Sequence, residues 1–303
     1  MKKKEESVPE IQTPSPMSIN EILESFAAFD GKYKRAEVDA AIANREEIVP
    51  RLIEVLEGVV ANPEKFAGDE TYFAHIYAIM LLGHFREPKA HRTIIALSSL
   101  RGDLSYRLFG ETITEDRAII LLRTCDGSVE ATKGLVQDKS ADDYCRGAGA
   151  KAITYGVVEG TVPREDALSF LGGLLEERAA EVPGVFYDMI AACMHDLCPE
   201  ESMDRIEAAY AKGIINPGYI EFESFKRALS RGREKCLLDL KAEMEDRSLE
   251  DIHERMSWWA CFHERDESMG VRFVERKTPK GKSKRVRCKI AAASRKKNRH
   301  KKR

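Results

Sequence analysis

"YCRGAGAKAITYGVVEGTVPREDALSFLGGLL", residues 144–175, decides the fold. Two runs of helical length flank a short break between Gly160 and Pro163. Proline is favoured at the start of a helix, because the N–H it lacks is not needed there. Pro163 therefore reads as the opening of a second helix, "REDALSFLGGLL". The small residues of "RGAGAKA" let a neighbouring helix approach the first one closely. The stretch reads as helix, tight turn, helix.

The same punctuation recurs on both sides. Pro50 precedes "RLIEVLEGV", Pro88 precedes "KAHRTIIALSSL", Gly127 precedes "SVEATKGLV" and Pro199 precedes "EESMDRIEAAY". The steps from Pro50 through Pro199 are 38, 39, 36 and 36 residues, and one more reaches "REKCLLDLKAEM". Each marker follows one helical run and opens another. A period of 36–39 residues with two helices per unit describes an α-solenoid. The expected fold is all-α, with about six helix pairs over residues 18–264. The competing architecture is an irregular helical bundle with evenly spaced prolines.

Local patterns agree with helices. Ser18 or Asn20 caps the first one, "MSINEILESF". Leu52, Val55, Leu56 and Val59 form one apolar stripe. "YFAHIYAIMLLGHF" is apolar nearly all round and predicts a buried helix. No segment alternates like a strand between hairpin turns. Residues 1–17 are polar and proline-bearing and read as a disordered leader.

The repeats resemble HEAT-type units, through "LGHFREPKAHRTIIALSSL" and the quoted 144–175 stretch. The order of segments is similar to that of bacterial proteins of the domain of unknown function 1186. The matching features are "RAEVDAAIANREEIVPRLIEVLE", "HIYAIMLLGHFRE", "CDGSVEATKGLVQD" and "WWACF", within residues 18–264. This resemblance implies a helical repeat fold and no particular activity.

Charge is sharply divided. Residues 271–303 hold 16 of the 49 Lys/Arg and one acid, Glu275, so they carry +15 while residues 1–270 carry −17. Such asymmetry points to an arm that binds polyanions, or that folds back on its own acidic body. The seven cysteines include no CxxC pair, and no signal peptide or membrane-length apolar run is visible. Free thiols in a reducing cytoplasm, away from membranes, are the expectation.

Candidate chemistry in the body is weak. "CMHDLC" gathers Cys193, His195 and Cys198, which suggests zinc. On a helix, however, 193 and 198 lie about 140° apart. "WWACFHE" offers Trp258 and Trp259 as a recognition patch, or as the apolar cap that the last repeat of a solenoid needs. His75, His84 and His91 lack the HExxH geometry; His75 and His84 fall at opposite ends of one helix. No serine elbow, phosphate loop or dinucleotide fingerprint occurs. "GAGAK" sits inside a helix. The body therefore reads as non-enzymatic.

The tail, "RKTPKGKSKRVRCKIAAASRKKNRHKKR", has no aromatics for base stacking but can neutralise phosphates. The residues expected to contact RNA are Lys280, Lys282, Lys284, Arg285, Arg287, Lys296, Lys297, Arg299, Lys301 and Lys302. "SRKKNRHKKR" also resembles the basic half of a SEC-C tail, a zinc-binding motif associated with ribosomes and export chaperones. Where that motif has cysteines this chain has Ile290 and Ala292, and only Cys288 is nearby. No cofactor is expected. Zinc would enter only if the gene encodes the complete motif and a frameshift has hidden it.

The leading expectation is a cytoplasmic scaffold whose solenoid binds an unidentified protein partner and whose 265–303 tail contacts RNA or ribosomes. The alternatives are an enzyme or enzyme-maturation factor using the solenoid groove, and a zinc-dependent adaptor.

Overall fold

The computed structural model describes residues 17–176 and 184–263. The expected leader, Met17 apart, and the 265–303 tail lie outside these residues.

The first helix, α1 (Ile19–Ala27), starts at Ser18. Ser18 Oγ accepts from the Glu21 amide at 3.4 Å, and Glu21 Oε2 accepts from the Ser18 amide at 2.8 Å. This reciprocal box satisfies donors that a helix start leaves open. The first pair follows as α2 (Arg35–Ala43) and α3 (Arg45–Ala61). A short α4 (Pro63–Gly68) leads to the second pair, α5 (Ala74–His84) and α6 (His91–Ser98). Two short helices, α7 (Leu104–Phe109) and α8 (Thr112–Glu115), precede α9 (Arg117–Thr124) and α10 (Glu130–Gln137). The quoted stretch is α11 (Asp143–Glu159) and α12 (Arg164–Glu176). Then come α13 (Val185–Asp196) with α14 (Met203–Ala211), and α15 (Phe222–Arg231) with α16 (Arg233–Asp246). The last helix is α17 (Ile252–Met256).

The predicted helix pairs are therefore present, with shorter helices inserted between them. Helices α5, α9, α11 and α13 pack in succession as one layer, and α3, α6 and α10 line the other side. Among the described residues there is no strand, only the isolated bridges Ala28–Tyr72 and Arg101–Ala141. Helix α5 is buried from Ala74 to Gly83, as its all-round apolarity predicts.

One marker needs correcting. Pro50 does not open a helix; it lies inside α3. The break in the first pair comes earlier, at Asn44, whose carbonyl accepts from Glu47 and Ile48. Proline deprives the Glu46 carbonyl of its partner. The helix continues because Leu52, Leu56 and Val59 beyond it are fully buried.

The small residues of "RGAGAKA" admit neighbouring helices as the sequence suggests: a Cβ on Gly147 would run into Met189 of α13, and one on Gly149 would lie 2.9 Å from Val136 Cγ2 of α10. Gly156, further along α11, instead meets the turn that follows. A Cβ on Gly156 would lie 2.7 Å from Val162 Cγ2 and 3.0 Å from Thr161 Oγ1. Val162 is β-branched, and its amide and that of Thr161 both bond the Gly156 carbonyl, at 3.1 and 2.9 Å. The turn cannot yield without breaking those bonds. Gly156→Ala should cost up to about 2 kcal/mol net, overpacking of about 1–3 kcal/mol being offset by the ~1 kcal/mol that alanine gains in a helix. A Cβ on Gly173 in α12 meets nothing within 4 Å, so Gly173→Ala should be neutral or stabilising. Urea unfolding of the two variants checks the contrast; equal midpoints would refute it.

The aromatic C-terminal segment also departs from expectation. It does not cap the last repeat. After α16 the chain crosses back and seats residues 247–263 on the first pairs as a strap. Leu249, Ile252, Met256, Trp259 and Phe262 belong to the same core cluster as Ile22, Val38 and Tyr77. Phe262 packs with Phe29, Tyr33, Phe73 and Tyr77, at ring separations of 5.4–6.3 Å. Leu249 fills the space beside Gly83, where an added Cβ would lie 2.8 Å from its Cδ1. The physical reason is area: an aromatic-rich surface around Tyr33, Phe73 and Tyr77 needs covering, and burying each large apolar side chain stabilises by about 1.5–3 kcal/mol. An open solenoid touches only its neighbours; here the first and last described segments share one core.

Candidate functional site: the groove beneath the strap

Polar contacts also hold the strap. His84 Nδ1 donates to the Leu249 carbonyl at 2.7 Å. Arg123 is buried, and donates to the Gly83 and His84 carbonyls and to Glu250. Arg86 also reaches Glu250, at 3.1 Å. The hydrogen bonds from these two arginines hold the Glu250 carboxyl at about 2, well below its ordinary 4.5. His253 Nε2 faces the Asp39 carboxylate at 2.8 Å, which can only accept, so Nε2 carries the proton. Its Nδ1 lies 2.9 Å from the Tyr33 hydroxyl.

Where the strap meets α7 and α8 it leaves a half-open groove of ≈ 670 Å³, its solvent-facing space included. Phe73, Ile76, Leu108 and Phe109 form one wall, and Trp258, Trp259 and Cys261 of the strap form the other. Glu111, Glu115, Asp116 and Arg255 edge it. Trp259 is buried, whereas Trp258 keeps 41% of its surface exposed. Asp116 is buried and accepts from Arg255 Nε at 2.6 Å. Burial raises its carboxyl above the ordinary value, and the Arg255 guanidinium works against that rise. Glu115 lies 3.5 Å from Arg247. Glu111 has no ion-pair partner among the described residues. The groove thus offers aromatic walls and a carboxylate edge, a combination suited to an apolar side chain with a cationic neighbour.

A polar cluster that joins three helices lies elsewhere. Lys151 of α11 donates to Asp196 of α13 at 2.7 Å and to Glu243 of α16 at 2.9 Å. Tyr155 also donates to Glu243, at 3.0 Å. The two carboxylates outweigh the burial of Lys151 and raise its pKa above the ordinary lysine value. An ammonium held this way is no base or nucleophile near neutral pH. Its effect is to fasten α16 across α11 and α13.

The sequence-selected residues fall as follows. Cys193, His195 and Cys198 do not converge. Cys193 is in the core, where burial pushes its thiol up to about 11. His195 packs edge-on against Phe225 and bonds Asp196 at 3.2 Å. Cys198, at φ +54°, sits beside Ala228 and Cys236. No cluster of three or more metal-ligating side chains occurs among the described residues. His75 is the second residue of α5 and His84 the last. His75 Nε2 donates to the Leu108 carbonyl at 2.8 Å, and His91 Nδ1 meets Thr124 Oγ1 at 3.1 Å. The expected RNA contacts, Lys280, Lys282, Lys284, Arg285, Arg287, Lys296, Lys297, Arg299, Lys301 and Lys302, lie outside the described residues, as does Cys288 with the SEC-C-like tail. No described helix is long and apolar enough to cross a membrane.

Sequence reasoning offered Trp258 and Trp259 as a recognition patch but not the groove that they line with Phe73, Leu108 and Phe109. A signal was present: Leu249, Ile252, Met256, Trp259 and Phe262 recur every three or four residues. That spacing announces an apolar face but not the surface it covers.

Two proteins described as uncharacterized are similar to this chain. One, from Chlamydia trachomatis serovar D, is 28% identical over 244 residues, covering 80% of this chain and 96% of the relative. The other, from Chlamydia muridarum, is 28% identical over 244 residues, covering 80% and 97%. Nearly the whole of each relative is thus a body of the size described here. No solved structure matches the chain. The family model described as "Protein of unknown function (DUF1186)" matches residues 17–263, from the cap of α1 to the end of the strap, and the chain belongs to that family.

Proposed function

We propose that the chain is a non-enzymatic, cofactor-independent protein-interaction scaffold of the cytoplasm, with a basic tail that contacts RNA on the ribosome. The observation that carries the scaffold reading is the groove beneath the strap. Its exposed Trp258 beside carboxylates is the chemistry of a docking surface, where aromatic anchors supply much of the binding energy. Three inward ionisable groups support the non-enzymatic part: Lys151, Asp116 and Arg123 are each engaged in pairs that tie separate segments together. The tail reading rests on the +15 carried by residues 271–303, a charge that neutralises phosphates without reading bases.

The test compares the full chain with a 1–270 truncation for co-sedimentation with ribosomes and binding to a generic RNA duplex across a salt series. The full chain should prefer ribosomes to the duplex, and truncation should abolish the binding. If neither form binds at physiological salt, the tail reading falls. For the scaffold, Trp258→Ala should reduce cross-linking of the full chain to cellular proteins without shifting its unfolding midpoint. Unchanged cross-linking would remove the groove from the docking surface.

A further inference from the structure

The groove has a candidate occupant in the chain itself. Residues 264–303 contain a single aromatic side chain, Phe273, in the sequence "VRFVERK" with Arg272 and Arg276 on either side. An aromatic anchor between two guanidinium groups is the chemical complement of aromatic walls edged by Glu111, a carboxylate with no ion-pair partner among the described residues. Distance permits the match. Cys261 already lines the groove, and the ten residues from His263 to Phe273 reach up to ~35 Å at ~3.3–3.6 Å each. Charge favours it on a larger scale, since residues 271–303 carry +15 against −17 on residues 1–270. Tethering raises the local concentration of such a segment to the order of millimolar, so a weak contact is populated.

We propose that Phe273, flanked by Arg272 and Arg276, docks in the groove beneath the strap and thereby competes with nucleic acid for the basic tail. This rests on the reading of the groove as a docking surface. It makes the body a brake on its own tail: acidic polymer pulls the segment out, and the groove becomes available to a partner with the same basic-aromatic pattern.

The chain's two tryptophans, Trp258 and Trp259, both line the groove, so acrylamide quenching of intrinsic fluorescence reads its occupancy in the full-length protein. Phe273→Ala leaves all 16 tail Lys/Arg in place and changes no residue of the described body. At low salt the wild type should be protected from quenching, and Phe273→Ala should lose that protection. Glu111→Gln should lose part of it. Adding a generic RNA duplex should raise quenching in the wild type and leave Phe273→Ala unchanged. Identical quenching of wild type and Phe273→Ala at low salt overturns the proposal. Ribosome co-sedimentation of the same samples keeps the two readings apart. If quenching is unchanged while truncation still abolishes ribosome binding, tail docking fails and the RNA-contacting reading stands. If docking holds, Phe273→Ala should sediment with ribosomes better than wild type, because its tail is no longer retained.

Discussion

Replacing Arg255 with alanine is expected to destabilise the fold by about 3–5 kcal/mol, the cost of leaving a buried charge without its partner. Asp116 is 2% exposed and takes a 2.6 Å hydrogen bond from Arg255 Nε. Arg255 Nη2 also donates to the Glu115 carbonyl at 3.2 Å. These contacts join the strap to the α8–α9 junction over a sequence separation of 139 residues. The deficit should depend on pH with a defined sign. Burial already raises the Asp116 carboxyl above 3.8, and Arg255 is the main opposing influence. Without it the folded-state pKa rises further. Between the unfolded value and that raised value the folded state holds a proton that the unfolded state releases. Stability of the variant therefore falls as pH rises through this window, and the deficit is larger at pH 8 than at pH 4. Urea unfolding at the two pH values measures it. Arg86→Ala is the control, because the Arg86–Glu250 pair is exposed, at 53% and 67%, and such pairs contribute about 0–1 kcal/mol. A deficit for Arg255→Ala as small as the control's, or one indifferent to pH, would mean that Asp116 is solvated after all.

The strap also shows where sequence reasoning succeeds and where it stops. The helix pairs were legible because their signals are local. Pro88, Pro163 and Pro199 stand at helix starts, Ser18 makes its cap within three residues, and α5 is apolar on every face. Each of these depends on neighbours a few residues away. Pro50 misled because a proline signals a boundary only if packing does not override it, and buried Leu52, Leu56 and Val59 carry α3 past it. The groove was not legible, because Phe73, Phe109 and Trp258 come from three separated stretches. The apolar spacing of 249–262 states that this segment must be covered, while the choice of α1, α2 and α5 as its cover depends on how far the solenoid curves. The Lys151–Asp196–Glu243 cluster is hidden for the same reason: three helices contribute one charged group each.

The largest stabilisation by a single change is expected from Arg117→Met. Arg117 is 1% exposed, and neither terminal nitrogen of its guanidinium has a hydrogen-bond partner among the described residues. Burial lowers its pKa below the ordinary arginine value. Its neighbouring acid, Asp116, already bonds Arg255, and the nearby Cys145 thiol is pushed up to about 11 by burial, so it carries no charge to offer near neutral pH. What remains is the face of Phe109, whose ring centre is 4.3 Å from Cζ. A cation over an aromatic ring gains about 0.5–2 kcal/mol, while the desolvation of a buried ion costs several. The balance runs against the arginine. Methionine is of similar length, fills the same channel, and keeps a favourable sulfur–ring contact with Phe109. Replacing buried ions by well-packed apolar side chains is neutral or stabilising by about 1–4 kcal/mol. For a body of this size each kcal/mol moves the melting temperature by about 2–4 °C. Arg117→Met should therefore melt above the wild type, and Arg117→Ala, which leaves a void beside Phe109, should melt below Arg117→Met. A methionine variant that melts several degrees below wild type would show that the guanidinium has strong acceptors and that its burial is compensated. The two arginines then make one argument: Arg255 is held by a carboxylate and costs stability when removed, Arg117 is not, and the sign of the change follows from that difference.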